Sequence, residues 1–410
     1  MERYKVYKEK LLEVLPKYID FASDRVFDCS DIGPELEDHV RFLIEFTVTG
    51  GKFIRACILI DTYLQLSKTE EIPEDVLFCA WSVEVLQAAY LTADDIIDVA
   101  TLRRGKLPFY KTPMATKTEL TKMGKSADIK QPDVGLTAFI DAWILETASY
   151  ETITFVEKKL LKQIRFLDKK SAFPDEIFDY FFDYPLLDVL MYCGRMTELG
   201  ECLDCRHEAL SRAMGSCVSA SFSQVKKIHI HKTSFYTFYL PYALGVVLYL
   251  YHHPEDVDHV LKEVPGAIKV RPGVAAETKD IATGIDVACV CLGRLFQMQD
   301  DFFDLFCPPE KLGKVGTDIQ EGKASWLLCY ALDSPLLTES MRKVLADNIG
   351  NSDADCRAVR NVYEAVEVEK GYKTELKKIS DKISTALKPV DERFSEPLLI
   401  LLRYIVGRDY

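Results

Sequence analysis

This sequence has few histidines, 7 in 410 residues. It has 12 cysteines, but they are scarcely ever paired at the short spacing of metal-binding motifs. One Cys-x-x-Cys pair, Cys202 and Cys205, has His207 nearby but no second pair at a suitable spacing, whereas structural zinc needs four ligands. The other cysteines are scattered, several of them in apolar helical stretches. This usage excludes a disulfide framework and indicates reduced thiols, as in a cytoplasmic protein.

Excess basic charge and long hydrophobic runs are also missing. The chain has 51 Lys and Arg against 64 Asp and Glu, and its net charge of −13 argues against nucleic acid and anionic membranes as partners. The most apolar stretch, 235–251, is shorter than a usual membrane span and contains Pro241 and Gly245, so we predict a buried core helix and no membrane span. The first 20 residues mix Lys and Glu, unlike a secretory signal or a transit peptide.

Strand signals are few, and helical periodicity covers most of the chain. Residues 1–30 are predicted to form one amphipathic helix, and Pro34 opens a second. Long helical patterns continue over 134–251 and 281–306. We therefore predict an all-α fold, a single large helical bundle around a central cavity.

The whole chain, 1–410, is interpreted as a single domain. Two polar stretches, about 111–133 and 252–280, lack apolar periodicity and are predicted to be inserted surface loops. A partner-binding role for the first of them is the alternative. The segment 307–322 is rich in Pro, Gly and charge and is predicted to be a lid, in which Lys314, Asp318 and Lys323 could close over a ligand.

Two aspartate-rich motifs stand out, DDIID at 94–98 and DDFFD at 300–304. Each places two carboxylates one helical turn apart, with a third beside the first. A single motif of this kind is usually a solvated helix face. Here apolar residues flank both copies, so unneutralised carboxylates would repel each other at a cost to stability. Oxygen-only ligands favour hard cations, Mg²⁺ above all, and Mg²⁺ shares its shell with phosphate oxygens.

Basic residues follow both motifs: Arg103 and Arg104 after the first, Lys314 and Lys323 after the second. The pattern therefore predicts a polyphosphate held by Mg²⁺ between two helices. Further blocks accompany the motifs, and they are GGKFIR at 50–55, VEVLQA at 83–88, TELGECLD at 197–204, KTSFYTFYLP at 232–241 and GKVGTDIQEGKASW at 313–326. With these blocks nearly the whole chain resembles the trans-isoprenyl diphosphate synthases, and most closely the eukaryotic farnesyl diphosphate synthases.

The resemblance implies a head-to-tail condensation of isopentenyl diphosphate with an allylic diphosphate (dimethylallyl or geranyl), catalysed by a homodimer. It implies that three Mg²⁺ ions bridge the aspartates to the allylic diphosphate. The implied metal ligands are Asp94, Asp95, Asp98, Asp204, Asp300, Asp301 and Asp304. The implied catalytic residues are Arg103, Lys232, Thr233, Tyr236, Gln297, Lys314 and Lys323. The isopentenyl diphosphate site would comprise Lys52, Arg55, Gln87, Arg104 and Arg408.

The resemblance implies that product length depends on a cavity floor formed by the residues four and five positions before the first motif, here Tyr90 and Ala89. Aromatic residues at both positions are the farnesyl-producing pattern, so Ala89 could admit a longer geranylgeranyl chain or a folded, cyclising one. Ile54 stands where the family has Asn, and Glu201 where it has Gln. A terpene synthase that ionises and cyclises a prenyl diphosphate is therefore the second hypothesis. A non-catalytic subunit is the third, and two complete aspartate motifs argue against it.

Overall fold

The computed structural model describes residues 2–27, 34–112, 115, 136–166, 185–214, 221–264, 283–308, 311 and 316–408. Within these ranges the ordered elements are helices, without a strand, and one antiparallel bridge joins Arg103 to Lys106. The all-α prediction is confirmed. Lys314 and most of the two predicted loops lie outside the described residues. The described part of the second loop includes a short helix, Val257–Glu263, because Val257 and Val260 are buried.

The helices are, in chain order, α1 Glu2–Phe27, α2 Pro34–Val48, α3 Ile54–Ser67, α4 Glu74–Ile97, α5 Leu136–Phe166, α6 Pro185–Met214, α7 Phe222–His229, α8 Leu240–His252, α9 Val257–Glu263, α10 Gly284–Phe306, α11 Asp318–Glu321, α12 Trp326–Asp333, α13 Glu339–Asn348, α14 Cys356–Ala365, α15 Val368–Leu387 and α16 Glu392–Val406. A π-helical segment, Ile230–Tyr239, lies between α7 and α8. The first two predicted helices agree with α1 and α2.

The chain divides into two compact units. The first contains Met1–Leu190 and Pro241–Asp258. Its centre is α4, which is apolar on nearly all sides and packs along α5. Trp81 of α4 is fully buried, stacks on Tyr18 of α1, and meets Phe53 edge-on at 5.2 Å. Such aromatic burial is a large share of the stabilisation of this unit.

The second unit contains Met191–Leu240 and His259–Tyr410, and its central helix is α10. A capping box begins α10, since Thr283 and Asp286 each accept from the other's backbone N–H. On α10, Phe302 stacks on Tyr372 of α15 with ring centroids 4.2 Å apart. The aspartate motif of α10 therefore lies on a helix that packing holds in one orientation.

Two helices are long and apolar enough to cross a membrane by length and composition alone, Glu74–Ile97 and Phe222–His252. However, 78% and 94% of the tested windows are buried inside the protein. Burial of this extent is typical of core helices. It agrees with the prediction that 235–251 is a core helix.

A buried carboxylate joins α5 to the first turn of α6. Glu157 is fully buried and accepts hydrogen bonds from the backbone N–H of Leu186 at 2.7 Å and of Leu187 at 3.2 Å. The Tyr251 hydroxyl donates a third at 2.9 Å. Burial raises the pKa of Glu157 from 4.5 to about 7, and the three donors only partly oppose this rise.

This carboxylate should make stability fall with rising pH. The folded state binds the Glu157 proton more tightly than the unfolded chain, so its stabilising contribution is complete below about pH 4.5 and is lost as the pH rises through about 7. Between these limits the free energy of unfolding should fall by about 3 kcal/mol more in the natural protein than in Glu157→Gln. Denaturant titrations at several pH values measure it, with the exposed Glu151→Gln as control. Parallel profiles for the natural protein and Glu157→Gln would contradict the assignment.

Candidate active site

The first aspartate motif lies at the C-terminal end of α4, and Asp98 is the residue that ends the helix. Its backbone N–H still donates to the Asp94 carbonyl at 2.9 Å, so these two side chains are one turn apart, as predicted. Asp94 and Asp98 are half-buried, whereas Asp95 is buried. The motif therefore has two accessible carboxylates and one that faces the protein.

Arg103 folds back onto this motif. Its guanidinium donates to Asp95 Oδ1 at 2.7 Å and to Asp94 Oδ2 at 3.0 Å. Burial lowers the pKa of Arg103, but the two carboxylates outweigh burial and raise the pKa above its ordinary value. Arg103 thus neutralises part of the charge of the motif and holds Asp95 in place.

A tight two-residue turn places both arginines. Arg103 and Lys106 exchange backbone hydrogen bonds at 2.8 and 3.0 Å, and the central residues Arg104 and Gly105 have φ of 54° and 74°. This is the geometry of a type I′ turn, which glycine accommodates freely and arginine only with strain. Arg104 gains compensating contacts, because its guanidinium donates to the Thr47 and Thr49 carbonyls at the end of α2 at 3.1 and 2.8 Å.

Three of the five predicted isopentenyl diphosphate residues, Lys52, Arg55 and Arg104, lie near the start of α3. Gly51 packs so closely on Arg104 that an added Cβ would lie 3.2 Å from Nη2. Arg55 is buried, and Lys52 is exposed. Behind them Glu84 of α4 is buried and accepts the Ala56 N–H at 3.0 Å. Burial raises the pKa of Glu84, while the nearby arginines 55 and 104 oppose that rise.

A cleft in the first unit extends from the α2 end to the first motif. It is lined by Phe46, Gly50, Thr92, Asp95, Arg104 and Phe109, among others. Ala88 lines this cleft, whereas Ala89 is buried and Tyr90 is half-buried. Gln87, the fourth predicted side chain of the isopentenyl diphosphate site, is half-buried on the same helix. The role of Ala89 and Tyr90 as a cavity floor stays a prediction.

The second motif lies on α10 in the second unit. Asp300 has 42% of its side chain exposed, and Arg408 Nη2 approaches it to 3.5 Å. Arg408 also lies over the Phe296 ring at 4.5 Å. The predicted substrate residue Arg408 is therefore found beside Asp300.

Asp301 and Asp304 are turned toward protein groups. Asp301 is buried, accepts the Trp326 N–H at 3.0 Å, and lies 3.1 Å from His229 Nε2. Asp304 accepts the Asp318 N–H at 3.1 Å. The end of the predicted lid, 316–322, is therefore packed directly on α10, and the role of the lid itself stays a prediction.

Lys232 joins the π-helical segment to α6. Its ammonium lies 2.7 Å from Asp204 Oδ2 and 3.0 Å from Glu201 Oε2. The approach depends on Gly200, where an added Cβ would lie 2.2 Å from the Lys232 backbone nitrogen. The structure thus brings three of the discussed positions together, and Glu201, the departure from the family, bonds directly to a predicted catalytic lysine.

Two of the remaining predicted residues, Thr233 and Gln297, are linked by hydrogen bonds to Asp301. The Thr233 hydroxyl donates to Gln297 Oε1 at 2.6 Å, and Gln297 Nε2 donates to Asp301 at 3.3 Å. Tyr236 is half-buried on the same segment as Thr233. Lys323 lies 3.0 Å from Glu321 and 4.0 Å from Glu208.

Several contacting residues were not predicted from the sequence. They are Lys8, Glu84, Glu208, His229 and Glu321. Glu208 follows Asp204 at i+4, so helical spacing could have identified it. Glu321 lies only two residues from its partner Lys323. Lys8, Glu84 and His229 carry no local signal, since their contacts depend on packing between distant segments.

Comparison with known proteins gives consistent results. The profile of the family described as Polyprenyl synthetase matches residues 37–265 and 267–366. Farnesyl pyrophosphate synthase of Saccharomyces cerevisiae is 30% identical over 397 residues, which cover 94% of this chain and 92% of the yeast protein. The Gallus gallus farnesyl pyrophosphate synthase is 29% identical over 85% of this chain and 80% of its own length.

Among solved structures, T. brucei farnesyl diphosphate synthase complexed with risedronate has a TM-score of 0.73 at 23% identity, and the alignment covers 98% of this chain and 100% of that one. This similarity shows that the protein has the all-α fold of isoprenoid synthases. The class of protein is therefore a prenyl-transferring enzyme of this fold. The chain belongs to the polyprenyl synthetase family.

Family membership implies the use of a divalent metal. The side chains fit such an ion. In the first unit Asp94 and Asp98 offer accessible carboxylate oxygens, and in the second unit Asp300 does so; such oxygens are the donors that hard cations prefer. In the second unit two ammonium groups, of Lys232 and Lys323, contact four carboxylates, which are those of Glu201, Asp204, Glu208 and Glu321. A bound cation would reduce this excess of negative charge.

Proposed function

We propose that this enzyme condenses isopentenyl diphosphate with dimethylallyl or geranyl diphosphate to form farnesyl diphosphate. One observation carries the proposal. The chain aligns with 92% of the length of a farnesyl pyrophosphate synthase, and it has both aspartate motifs together with the cationic cluster of Lys52, Arg55 and Arg104. The cluster supports an acceptor that is itself a diphosphate. A terpene synthase that only ionises one substrate has no need of it.

The metal ligands we propose are Asp94, Asp98, Asp204, Asp300 and Asp304, holding three Mg²⁺ ions. Bound Mg²⁺ would neutralise the allylic diphosphate as it departs with its bonding electrons. Asp95 and Asp301, predicted ligands from the sequence, contact Arg103 and the Trp326 N–H, so we infer that they orient their motifs.

The chain's own residues perform the other tasks. Arg103, Lys232 and Lys323 supply positive charge where the leaving diphosphate gains negative charge. Lys314 has the same proposed task in a lid over 307–322. Thr233 and Gln297, already hydrogen-bonded, present oxygen dipoles toward the allylic cation, with Tyr236 on the same segment. The double bond of isopentenyl diphosphate then attacks, and one proton is lost to the departed diphosphate.

The product length is proposed to depend on Ala89. If Ala89 faces the growing chain, Ala89→Phe should shorten the longest product by about one five-carbon unit, because the new ring fills the space at the floor. Gas chromatography of phosphatase-treated products measures this shift. Ala88→Ser, on the lining of the neighbouring cleft, is the matched control. An unchanged spectrum in Ala89→Phe would show that Ala89 is not part of the floor.

The function is tested by incubating purified protein and Mg²⁺ with dimethylallyl, geranyl or farnesyl diphosphate, each with and without isopentenyl diphosphate. Elongation that requires isopentenyl diphosphate, with alcohols appearing only after phosphatase, supports the proposal. A hydrocarbon or cyclic alcohol formed from a single allylic diphosphate would overturn it in favour of a terpene synthase. If geranylgeraniol is the main alcohol, the proposed condensation stands, and the product is geranylgeranyl diphosphate instead of farnesyl diphosphate.

We also propose a homodimer. Met191, Leu199, Leu203 and Leu210 are each 44–58% exposed and fall on one face of α6. Large exposed apolar side chains grouped on one side of a helix, here with the exposed Arg195 and Arg206 among them, favour a subunit interface. Sedimentation should therefore give twice the chain mass of 46.7 kDa. The cysteines in the described residues are not paired in disulfides, which supports a cytoplasmic location.

A further inference from the structure

The N-terminal helix α1 is fixed to α3 by a buried ion pair. Asp61 of α3 is fully buried and receives Arg3 Nη2 on Oδ2 and Arg3 Nε on Oδ1, both at 2.9 Å. The Tyr7 hydroxyl donates to the same carboxylate at 3.0 Å. Trp81 adds a hydrogen bond to the Leu11 carbonyl at 3.0 Å. These bonds fix the rotation and height of α1 on the first unit.

This anchoring places Lys8 at the cationic cluster. Lys8 Nζ donates to the Gly51 carbonyl at 3.2 Å and lies 5.1 Å from the centre of the Phe53 ring. The Arg104 guanidinium also lies close to Gly51, so one cation from α1 and another from the turn approach the same glycine. Neither contact could be read from the sequence, because Lys8 is 43 residues from Gly51.

The bonded carbonyl decides which way the next peptide N–H points. The Gly51 carbonyl and the Lys52 N–H belong to one planar trans peptide and therefore point in opposite directions. Since the carbonyl is drawn toward α1, the Lys52 N–H is directed away from α1. Without Lys8 this peptide could rotate and present its carbonyl, an electron-rich oxygen, to an anionic ligand.

Phe53, the residue after Lys52, has a strained backbone conformation that fits the same geometry. Phe53 has φ 53° and ψ 38°, a left-handed conformation that costs a non-glycine residue about 1 kcal/mol or more. The Lys8 ammonium and the Trp81 edge contact its ring. With Phe53 in this conformation α3 starts at Ile54, and the first turn of α3 brings Arg55 into the cluster.

We propose that Lys8 is a positioning residue of the isopentenyl diphosphate site, an inference that rests on the proposed function. Lys8 holds the Gly51–Lys52 peptide so that the Lys52 N–H and the side chains of Lys52 and Arg55 bind the diphosphate. It also adds a fourth positive charge to Lys52, Arg55 and Arg104.

The test compares Lys8→Met, Lys8→Arg and Lys5→Met by steady-state kinetics with both substrates varied. Lys8→Met should raise the KM for isopentenyl diphosphate about tenfold, which corresponds to about 1.4 kcal/mol. Its kcat and its KM for the allylic diphosphate should stay within about twofold. Lys8→Arg should restore most of the loss, because a guanidinium can also donate to the carbonyl. Lys5, exposed on the same helix, should have no effect when replaced.

A purely structural role would give a different result. The Asp61 anchor is intact in these variants, so α1 should stay in place and thermal unfolding should be nearly unchanged. Two results for Lys8→Met would overturn the proposal while leaving the proposed function in place. One is a fall in kcat with equal rises in both KM values, and the other is an unchanged KM for isopentenyl diphosphate. If the natural protein shows no turnover that depends on isopentenyl diphosphate, the proposed function fails, and the proposal for Lys8 fails with it.

Discussion

Asp300→Asn should reduce prenyl transfer by at least about a hundredfold at every substrate pairing and leave the fold intact. Asp300 is 42% exposed and lies on a helix that packing holds from its other faces. The amide keeps the size of the carboxylate but removes the negative charge that binds the cation. We therefore expect weaker binding of Mg²⁺ in calorimetry as well as lost turnover.

The neighbouring aspartate provides a contrast. Asp301→Asn removes a carboxylate that accepts the Trp326 N–H and faces His229, so we expect it to lower the free energy of unfolding by about 1–3 kcal/mol. Asp300→Asn should unfold like the natural protein. The exposed Asp381→Asn on α15 is the control for both measurements. Turnover by Asp300→Asn within tenfold of the natural protein would count against Asp300 as a metal ligand.

Gly200→Ala should impair both stability and catalysis. The added methyl would lie 2.2 Å from the Lys232 nitrogen and 2.4 Å from the His231 carbonyl carbon, which are backbone atoms that cannot rotate away. The π-helical segment must therefore move, and overpacking of this kind costs about 1–3 kcal/mol. Because Lys232 and Thr233 lie on that segment, a shift of about 1 Å should lower kcat about a hundredfold.

The control for this substitution is Cys202→Ala, which changes an exposed side chain two residues further along α6. It should leave melting temperature and turnover unchanged. Thermal unfolding and kcat should fall together in Gly200→Ala alone. Natural values of both quantities in Gly200→Ala would show that α6 and the segment do not approach as closely as the structure indicates.

Helical spacing made much of the site predictable from the sequence. The i and i+4 positions of Asp94 and Asp98 lie one turn apart in any helix, and Asp98 keeps that relation even as the residue that ends α4. Apolar periodicity likewise indicated the helices around these motifs. Polar composition was a weaker guide, since Val257–Glu263 is helical within a stretch interpreted as a loop.

The pairing of side chains could not be predicted in this way. The aspartates of one motif are equivalent in the sequence, yet Asp300 is accessible while Asp301 is buried against Trp326. Their difference arises because a helix of fixed pitch shows one face to solvent and the other to its neighbours, and only packing decides which face is which.

The sequence by itself therefore determines the local chemistry of the site: carboxylates at helical spacing, basic residues that follow them, and glycines where two backbones come close. The tertiary structure alone decides which cation meets which carboxylate. Lys232 lies between Glu201 and Asp204, and Lys8 reaches Gly51 across 43 residues, because helices distant in the chain pack side by side. Such contacts are stabilised by the burial of the whole helix faces around them, which no short motif contains.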